Sequence, residues 1–180
     1  MKEWIKSIAL ALAIALVVIY FIKPTLVKQS SMEPNFYEND YLFVSKQSYK
    51  LFGSPERGDV IVVHSDLVQE NGDEKMLIKR IIGLPGDSIT ITDDKVYING
   101  ETIEEPYIKE QGVNGAIGKK IKDLVVPENS YFCMGDNRRV SIDSRDPDVG
   151  CVGKDQIVGK VVLRLYPFNK IGFIKNPLKE

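Results

Sequence analysis

The chain has 180 residues, and its 24 Lys and Arg residues nearly balance its 25 Asp and Glu residues, giving a formal charge of -1 at pH 7. This length suits one domain that buries a sizeable core. The near-neutral charge argues against nucleic acid as the main partner, because proteins that bind nucleic acid normally carry a basic excess.

Histidine and cysteine are too scarce to build a familiar metal site. Cys133 and Cys151 lack metal-ligand spacing, and the only histidine, His64, has no His or Cys companion nearby. The sequence therefore shows no zinc site, and nothing else in it implies a metal or an organic cofactor. A Ser-His-Asp triad would depend on His64 alone, which is explained more simply as a strand-end residue. The two cysteines could pair in an oxidising compartment, but the unpaired state is favoured.

The amino-terminal segment predicts a membrane anchor. Residues 7–22 carry no charge and are flanked by Lys6 and Lys23. A helix of this length spans roughly 24 Å, and snorkelling lysines can extend it toward the roughly 30 Å of a hydrocarbon core. A cleaved signal peptide is the alternative, but residues 23–29 contain no small-x-small cleavage site. We expect an uncleaved transmembrane segment at 7–23, whose orientation the balanced flanking charges leave open.

Beyond the anchor the pattern predicts a mainly β chain. Apolar and β-branched runs bounded by turn formers indicate strands, and Asn99-Gly100 predicts a hairpin with a type I′ turn. The Gly-rich, polar region at 105–123 is expected to be a loop or a small-lobe insertion. The predicted strands are 40–45, 59–64, 76–82, 87–92, 96–98, 101–103, 125–134 and 156–166.

One predicted strand, 76–82, contains two cations in an otherwise apolar run. Side chains alternate along a strand, so Lys79 shares a face with Leu77 and Ile81, while Arg80 shares the other. Periodicity does not decide which cation faces the core. Burial would lower the pKa of a lysine, and a neutral lysine is a general base, so Lys79 is the catalytic candidate. The alternative is a lysine that snorkels from a strand edge to water.

A second dense stretch, residues 135–150, is polar and rich in charge. Its Asp, Arg and Ser side chains could form an ion-pair network that fixes a site, although an ordinary hydrophilic turn would explain the composition as well.

Four motifs occur together and in a fixed order. They are Ser31-Met32-x-Pro34 just after the anchor, Arg57-Gly58-Asp59-Val60, Lys79-Arg80-x-x-Gly83-x-Pro85-Gly86-Asp87, and Gly135-Asp136-Asn137-Arg138-x-x-Ser141-x-Asp143-Ser144-Arg145. In this combination the chain resembles the bacterial type I signal peptidases, in the short form found in Gram-positive bacteria. The resemblance runs from the anchor to about Phe168.

The resemblance implies a fold and a mechanism. The fold would be the coiled β-sheet of the signal peptidase and LexA-like kind, with an N-terminal transmembrane helix. Ser31 would be the nucleophile and Lys79 its base, while Ser141 would orient the lysine. The backbone N–H of Ser31 would be one oxyanion donor, and the second donor stays open. Charged residues would hold the last loop against the lysine strand, namely Asp143, Arg145, Arg80 and Asp136.

The resemblance also implies a substrate and a location. The substrates would be secretory preproteins, cut after a small-x-small motif such as Ala-X-Ala, with Met32 and Pro34 beside the pockets and apolar residues of 41–44 lining them. Residues 1–6 would be cytoplasmic and 24–180 extracytoplasmic, with membrane lipid as the other partner and no nucleic acid.

Two alternatives remain at this level. A self-cleaving SOS-type repressor would share the serine-lysine chemistry, but it would carry a DNA-binding region where this chain has its anchor. A catalytically silent, membrane-anchored binding protein on the same scaffold would be expected to lack Ser31 or Lys79, and both are present.

Overall fold

The structure is a computed structural model that describes residues 2–51, 53–68, 74–111 and 121–179. It begins with one long helix, followed by short strands that are joined mostly by turns. The helices are α1 (Lys2–Phe21) and α2 (Ser48–Leu51). The strands are β1 (Ile22–Leu26), β2 (Tyr41–Ser45), β3 (Val60–Val68), β4 (Glu74–Gly83), β5 (Ser88–Thr92), β6 (Lys95–Ile98), β7 (Glu101–Thr102), β8 (Ile121–Val125), β9 (Ser130–Met134), β10 (Val152–Gly153), β11 (Ile157–Tyr166) and β12 (Gly172–Phe173).

The strands form two sheets. The larger has the order β1-β2-β11-β3-β4-β9-β10, with β12 also paired to β11, and the smaller has the order β7-β6-β5-β8. Every strand pairing in the described residues is antiparallel. The prediction of a mainly β fold is confirmed.

Strand β4 lies inside the larger sheet, between β3 and β9. Leu77 and Ile81 pack in one apolar cluster, whereas Ile82 belongs to a second and Ile78 packs against a third. Lys79 and Arg80 are both buried. The prediction that this strand is buried on both faces therefore holds for most of its length, and both cations face protein instead of water.

The predicted hairpin is confirmed. Residues 95–98 of β6 pair with β5 on one side and with β7 on the other, and the connection to β7 is Asn99-Gly100. Both turn residues have positive φ, 54° at Asn99 and 87° at Gly100, as a type I′ turn requires.

Three predicted boundaries need correction. The single strand expected at 125–134 is two strands, β8 and β9, because Pro127 and the left-handed Asn129 (φ 60°) interrupt it. The expected loop at 105–123 ends in β8, where the adjacent polar residues Lys122 and Asp123 break the alternation that would have indicated a strand. At its other end, Glu105, Tyr107 and Ile108 are buried. Residues 112–120 of that segment lie outside the described residues.

The amino-terminal helix ends at Phe21, and Ile22 and Lys23 already belong to β1. In the part of the chain that the structure describes, no helix is both long enough and apolar enough to cross a lipid bilayer. The transmembrane segment at 7–23 stays a prediction.

Both cysteines are free, so the favoured unpaired state is confirmed. Cys133 packs in the same apolar cluster as Leu77 and Ile81, while Cys151 packs against the cluster that contains Ile82.

Candidate active site

Ser31 lies in a single 3-10 turn, Ser30–Met32, between β1 and β2. The side chain of Met32 is buried in the apolar core and anchors this turn. The carbonyl of Met32 accepts hydrogen bonds from the backbone N–H groups of Asn35 and Phe36, at 3.0 and 2.9 Å. The turn therefore holds Ser31 at the edge of the core, with its side chain half-buried.

Lys79 reaches this serine from β4. Its Nζ lies 3.0 Å from Ser31 Oγ and donates a second hydrogen bond, of 3.1 Å, to the carbonyl of Ile78. The lysine is only 2% exposed. Sequence reasoning thus identified two residues, 48 positions apart, that the structure brings into hydrogen-bonding distance.

Burial lowers the pKa of Lys79 from 10.5 to about 8, because an ammonium ion loses its hydration in this environment. Asp143, Cys133 and Asp136 act in the opposite direction, and Lys75 adds to the lowering. The desolvation effect is the largest, so a useful fraction of Lys79 is neutral near pH 8 and able to accept a proton.

The loop after β9 holds the serine turn from the other side. The backbone N–H of Asn137 donates to the carbonyl of Ser31 at 3.0 Å, and its side chain donates to the carbonyl of Ser30 at 3.1 Å. Gly135 lies so close that a Cβ built on it would be 2.5 Å from the Ser31 carbonyl oxygen. A side chain at this position would displace the turn that carries Ser31.

Buried ion pairs fix this loop. Arg80 donates to both carboxylate oxygens of Asp136, at 2.8 and 2.7 Å, which ties the loop to the lysine strand. Arg145 pairs with Asp143 at 2.8 Å, and Asp143 also accepts the N–H of Gly135 at 3.0 Å. Burial alone would raise the pKa of Asp143, but Arg145 and the Gly135 N–H hold it below its usual range. The predicted network is therefore present, and the hydrophilic-turn alternative is wrong.

Ser141 is fully buried beside Gly135. Its hydroxyl makes no hydrogen bond of good geometry among the described residues, but it is close enough to Asp143 to help hold the pKa of that carboxyl below its usual range. Its predicted role in orienting Lys79 stays a prediction.

Ser31 and Lys79 lie where two open cavities meet, of about 440 and 350 Å³. The larger is a mostly apolar groove between β1 and β4, and Met32 lines it as expected. Pro34 and the residues of β2 do not line it; Pro34 is exposed, and Leu42 and Val44 are buried in the core. The groove is lined by Lys23, Pro24, Thr25, Leu26, Val27, Lys28, Gln29, Ser31, Met32, Val62, Lys75, Met76, Leu77, Ile78 and Lys79.

Sequence reasoning missed the residues that reach the site from the smaller sheet. Glu105 and Tyr107 follow β7, and Asn35 donates hydrogen bonds to Asp136 and to the carbonyl of Tyr107. Glu105 had no signal in its spacing or surroundings that could have identified it.

Comparison with known proteins gave consistent results. The family described as "Signal peptidase, peptidase S26" matches residues 1–166. "Signal peptidase I" of Bacillus licheniformis is 38% identical over 177 residues, covering 94% of this chain and 90% of that protein. "Signal peptidase IB" of Staphylococcus aureus (strain MRSA252) is 38% identical over 191 residues, covering 97% and 94%. A crystal structure of a signal peptidase I from Enterococcus faecalis aligns with a TM-score of 0.47 and 31% identity, over 59% of this chain and 96% of that one.

Proposed function

The chain belongs to the signal peptidase family, peptidase S26, and is a peptidase, and we propose that it removes signal peptides from secretory preproteins with Ser31 and Lys79 as a catalytic dyad. The observation that carries this proposal is the 3.0 Å contact between a buried lysine amine and a serine hydroxyl at the mouth of an apolar groove. The match over residues 1–166 also favours a peptidase of this family over a self-cleaving repressor.

In the first half of the reaction, neutral Lys79 accepts the proton of the Ser31 hydroxyl as Oγ attacks the scissile carbonyl. The tetrahedral intermediate collapses when the lysine returns this proton to the leaving amine, which releases the carboxyl-terminal product. In the second half, Lys79 accepts a proton from water, whose oxygen attacks the acyl ester. Collapse of the second intermediate gives the proton back to Ser31 and frees the signal peptide.

The negative charge on each tetrahedral intermediate needs hydrogen-bond donors. The N–H of Ser31 lies in the first turn of a 3-10 helix, where backbone N–H groups have no acceptor within the helix. One such donor typically contributes about 3 kcal/mol to transition-state stabilisation. Gln29 and Ser30 are the candidates for the second donor, because both line the smaller cavity together with Ser31 and Lys79.

The groove suits an extended peptide. Strand β1 pairs only with β2, and the pairing of β4 with β9 begins at Arg80, so both strands present an unpaired edge to the groove within the described residues. A substrate strand could hydrogen-bond to these edges while its side chains alternate into the groove. Apolar walls close to Ser31, including Leu77 and Ile78, favour small residues such as Ala before the cut.

We also propose that α1 holds the peptidase at a membrane, with the amino terminus in the cytoplasm and the β domain outside. The support is an exposed apolar surface on this helix, which includes Trp4, Ile8 and Leu12. Flotation of the full chain with lipid vesicles tests the attachment. We expect Ile8→Asp/Leu12→Asp to weaken it, while Leu51→Asp, an exposed position on α2, leaves flotation unchanged.

Cleavage of a purified preprotein with an Ala-x-Ala site, in detergent, tests the proposed activity. We expect the fragment masses to locate the cut directly after this site, and we expect Ser31→Ala and Lys79→Ala each to abolish product. Ser54→Ala and Lys95→Ala change exposed residues of the same types and serve as controls. Retained cleavage in Lys79→Ala would exclude the dyad, and failure of the intact chain on every preprotein would favour the silent binding protein.

A further inference from the structure

The segment 105–109, named here the brace, leaves the smaller sheet after β7 and crosses behind the dyad. It contacts all three parts that build the site, namely the turn that follows Ser31, strand β4 with Lys79, and the loop after β9. Two of its side chains, Glu105 and Tyr107, are buried although both are polar. Burial of a polar side chain costs free energy unless the side chain is hydrogen-bonded, so the partners of Glu105 and Tyr107 indicate what the brace does.

Glu105 acts on the loop after β9 through Arg138. The two side chains form a buried ion pair in which Arg138 Nη1 donates to Glu105 at 3.1 Å, and Arg138 is 1% exposed. Arg138 Nε donates to the carbonyl of Gly135 at 2.9 Å. Gly135 is in turn packed against the carbonyl of Ser31. Displacement of Arg138 would therefore shift Gly135, and Gly135 packs directly against Ser31, the proposed nucleophile.

Tyr107 acts on the other two parts. Its ring lies under the Arg80 guanidinium, with 4.3 Å between the guanidinium carbon and the ring centroid, and its hydroxyl donates to Glu105 at 3.1 Å. Its carbonyl accepts the Asn35 side-chain N–H at 2.6 Å, and Asn35 also donates to Asp136 at 2.8 Å. Arg80, which is next to Lys79 in the chain, and Asn35, which follows the turn that carries Ser31, thus donate hydrogen bonds to the same carboxylate, that of Asp136.

We propose that Glu105 and Tyr107 are positioning residues that set the spacing between Ser31 and Lys79. The proposal rests on the function proposed above. Apolar side chains of similar volume would pack this junction at least as stably as a buried ion pair. The brace bonds to Arg138 and Asn35 and stacks on Arg80, the chain neighbour of Lys79. Arg138 in turn bonds to the carbonyl of Gly135, which packs against the carbonyl of Ser31. These contacts lead to both dyad residues, as expected of a positioning role.

The test uses the full chain with Glu105→Gln and Tyr107→Phe, which conserve shape. Glu110→Gln is the matched control, since Glu110 follows the brace and forms an exposed ion pair with Arg139 at 2.7 Å. We expect kcat of both brace variants to fall by about 10- to 100-fold with KM nearly unchanged, because a small misplacement of reacting groups costs this much. We expect no change in the control.

A second readout follows Lys79. Its charged or titratable neighbours are Asp143 and Asp136 from the loop, Cys133 from β9 and Lys75 from β4, and Lys28 and Glu38 line the same cavity. None of them is changed in the variants. If loss of the brace separates Ser31 from Lys79 and admits water between them, the pKa of Lys79 rises, so the acid limb of kcat/KM moves to higher pH. A lower rate with an unmoved limb, in proportion to a lower folded fraction, would overturn the proposal.

A third readout needs no substrate. Hydrogen exchange followed by mass spectrometry on peptides covering 30–36 should be faster in both brace variants than in the wild type, and unchanged in Glu110→Gln. Wild-type exchange in this turn, in variants that fold normally, would also overturn the proposal. If the wild type cleaves no preprotein, the proposed function fails while this exchange result still decides whether the brace positions the serine turn.

Discussion

At the residue scale, the central feature is a lysine that carries little of its usual hydration. The apolar neighbours Leu77, Ile78, Ile81 and Ile82 made Lys79 a candidate for a buried cation, but they left open a lysine that snorkels to water. Its partner was not predictable from physics alone, because nothing in the composition around Ser31 distinguishes it from a turn serine; only the resemblance selected it. Glu105 escaped both approaches, since its partner Arg138 is 33 positions away and no periodicity relates them.

The burial of Lys79 predicts a gain in stability when the charge is removed. Below about pH 8 the folded and unfolded states both carry the ammonium, and the folded state bears its desolvation cost. We expect Lys79→Met to raise the free energy of unfolding at pH 7 by about 2 kcal/mol, from a pKa lowered from 10.5 to about 8 and the loss of two hydrogen bonds. Urea unfolding followed by circular dichroism measures it.

The same argument fixes the pH dependence of this gain. Between about pH 8 and 10.5 the folded wild type loses its proton while the unfolded chain keeps it, so wild-type stability rises with pH and the advantage of Lys79→Met shrinks. Lys95→Met, at an exposed position on β6, should show neither the gain nor its pH dependence. A constant advantage across this window would mean that Lys79 is not desolvated in the folded state.

At the element scale, strands with strong alternation or continuous apolar runs were predicted well, and the hairpin at Asn99-Gly100 was predicted to the residue. The errors fall where polar residues conceal a strand, as in β8, or where buried polar residues sit in a segment of loop-like composition, as in the brace. In both places the tertiary contacts decide the structure, and a single sequence contains little local trace of them.

Gly135, in the loop after β9, packs closely against the turn that carries Ser31, so a substitution at Gly135 tests the described packing of the site. A Cβ there would lie 2.2 Å from Ser141 Oγ and 2.5 Å from the Ser31 carbonyl oxygen, and the latter is backbone that cannot swing away. We expect Gly135→Ala to displace the serine turn and to lower kcat by about 100-fold or more. Gly172→Ala is the control, because nothing lies within 4 Å of its added Cβ. Near-normal activity in Gly135→Ala would contradict the described packing.

The two cysteines should differ in reactivity because of the elements that hold them. Cys133 is fully buried in β9, and burial raises the pKa of its thiol far above the usual value; Cys151, just before β10, is only partly buried. We expect a thiol reagent to label Cys151 of the native protein much faster than Cys133, and to label both after denaturation without a reductant. Unlabelled thiols in the denatured, unreduced protein would instead reveal a disulfide.

At the scale of the whole molecule, the site is a junction. Ser31 comes from a turn beside β1, Lys79 from β4 and the supporting network from the loop after β9, while the brace connects all three to the smaller sheet. The mainly β class could be predicted from strand patterns. The order of strands in the larger sheet could not, because it pairs β2 with β11 across more than half the chain and local patterns do not encode such contacts.

The most direct test of the dyad is the pH dependence of kcat/KM for preprotein cleavage by the full chain. A lysine base predicts a rate that rises with pH through one ionisation near pH 8, where Lys79 loses its proton. His64→Gln should leave this limb in place, since His64 is an exposed residue of β3 opposite Met76 in the strand register. A limb that disappears in His64→Gln would contradict the account.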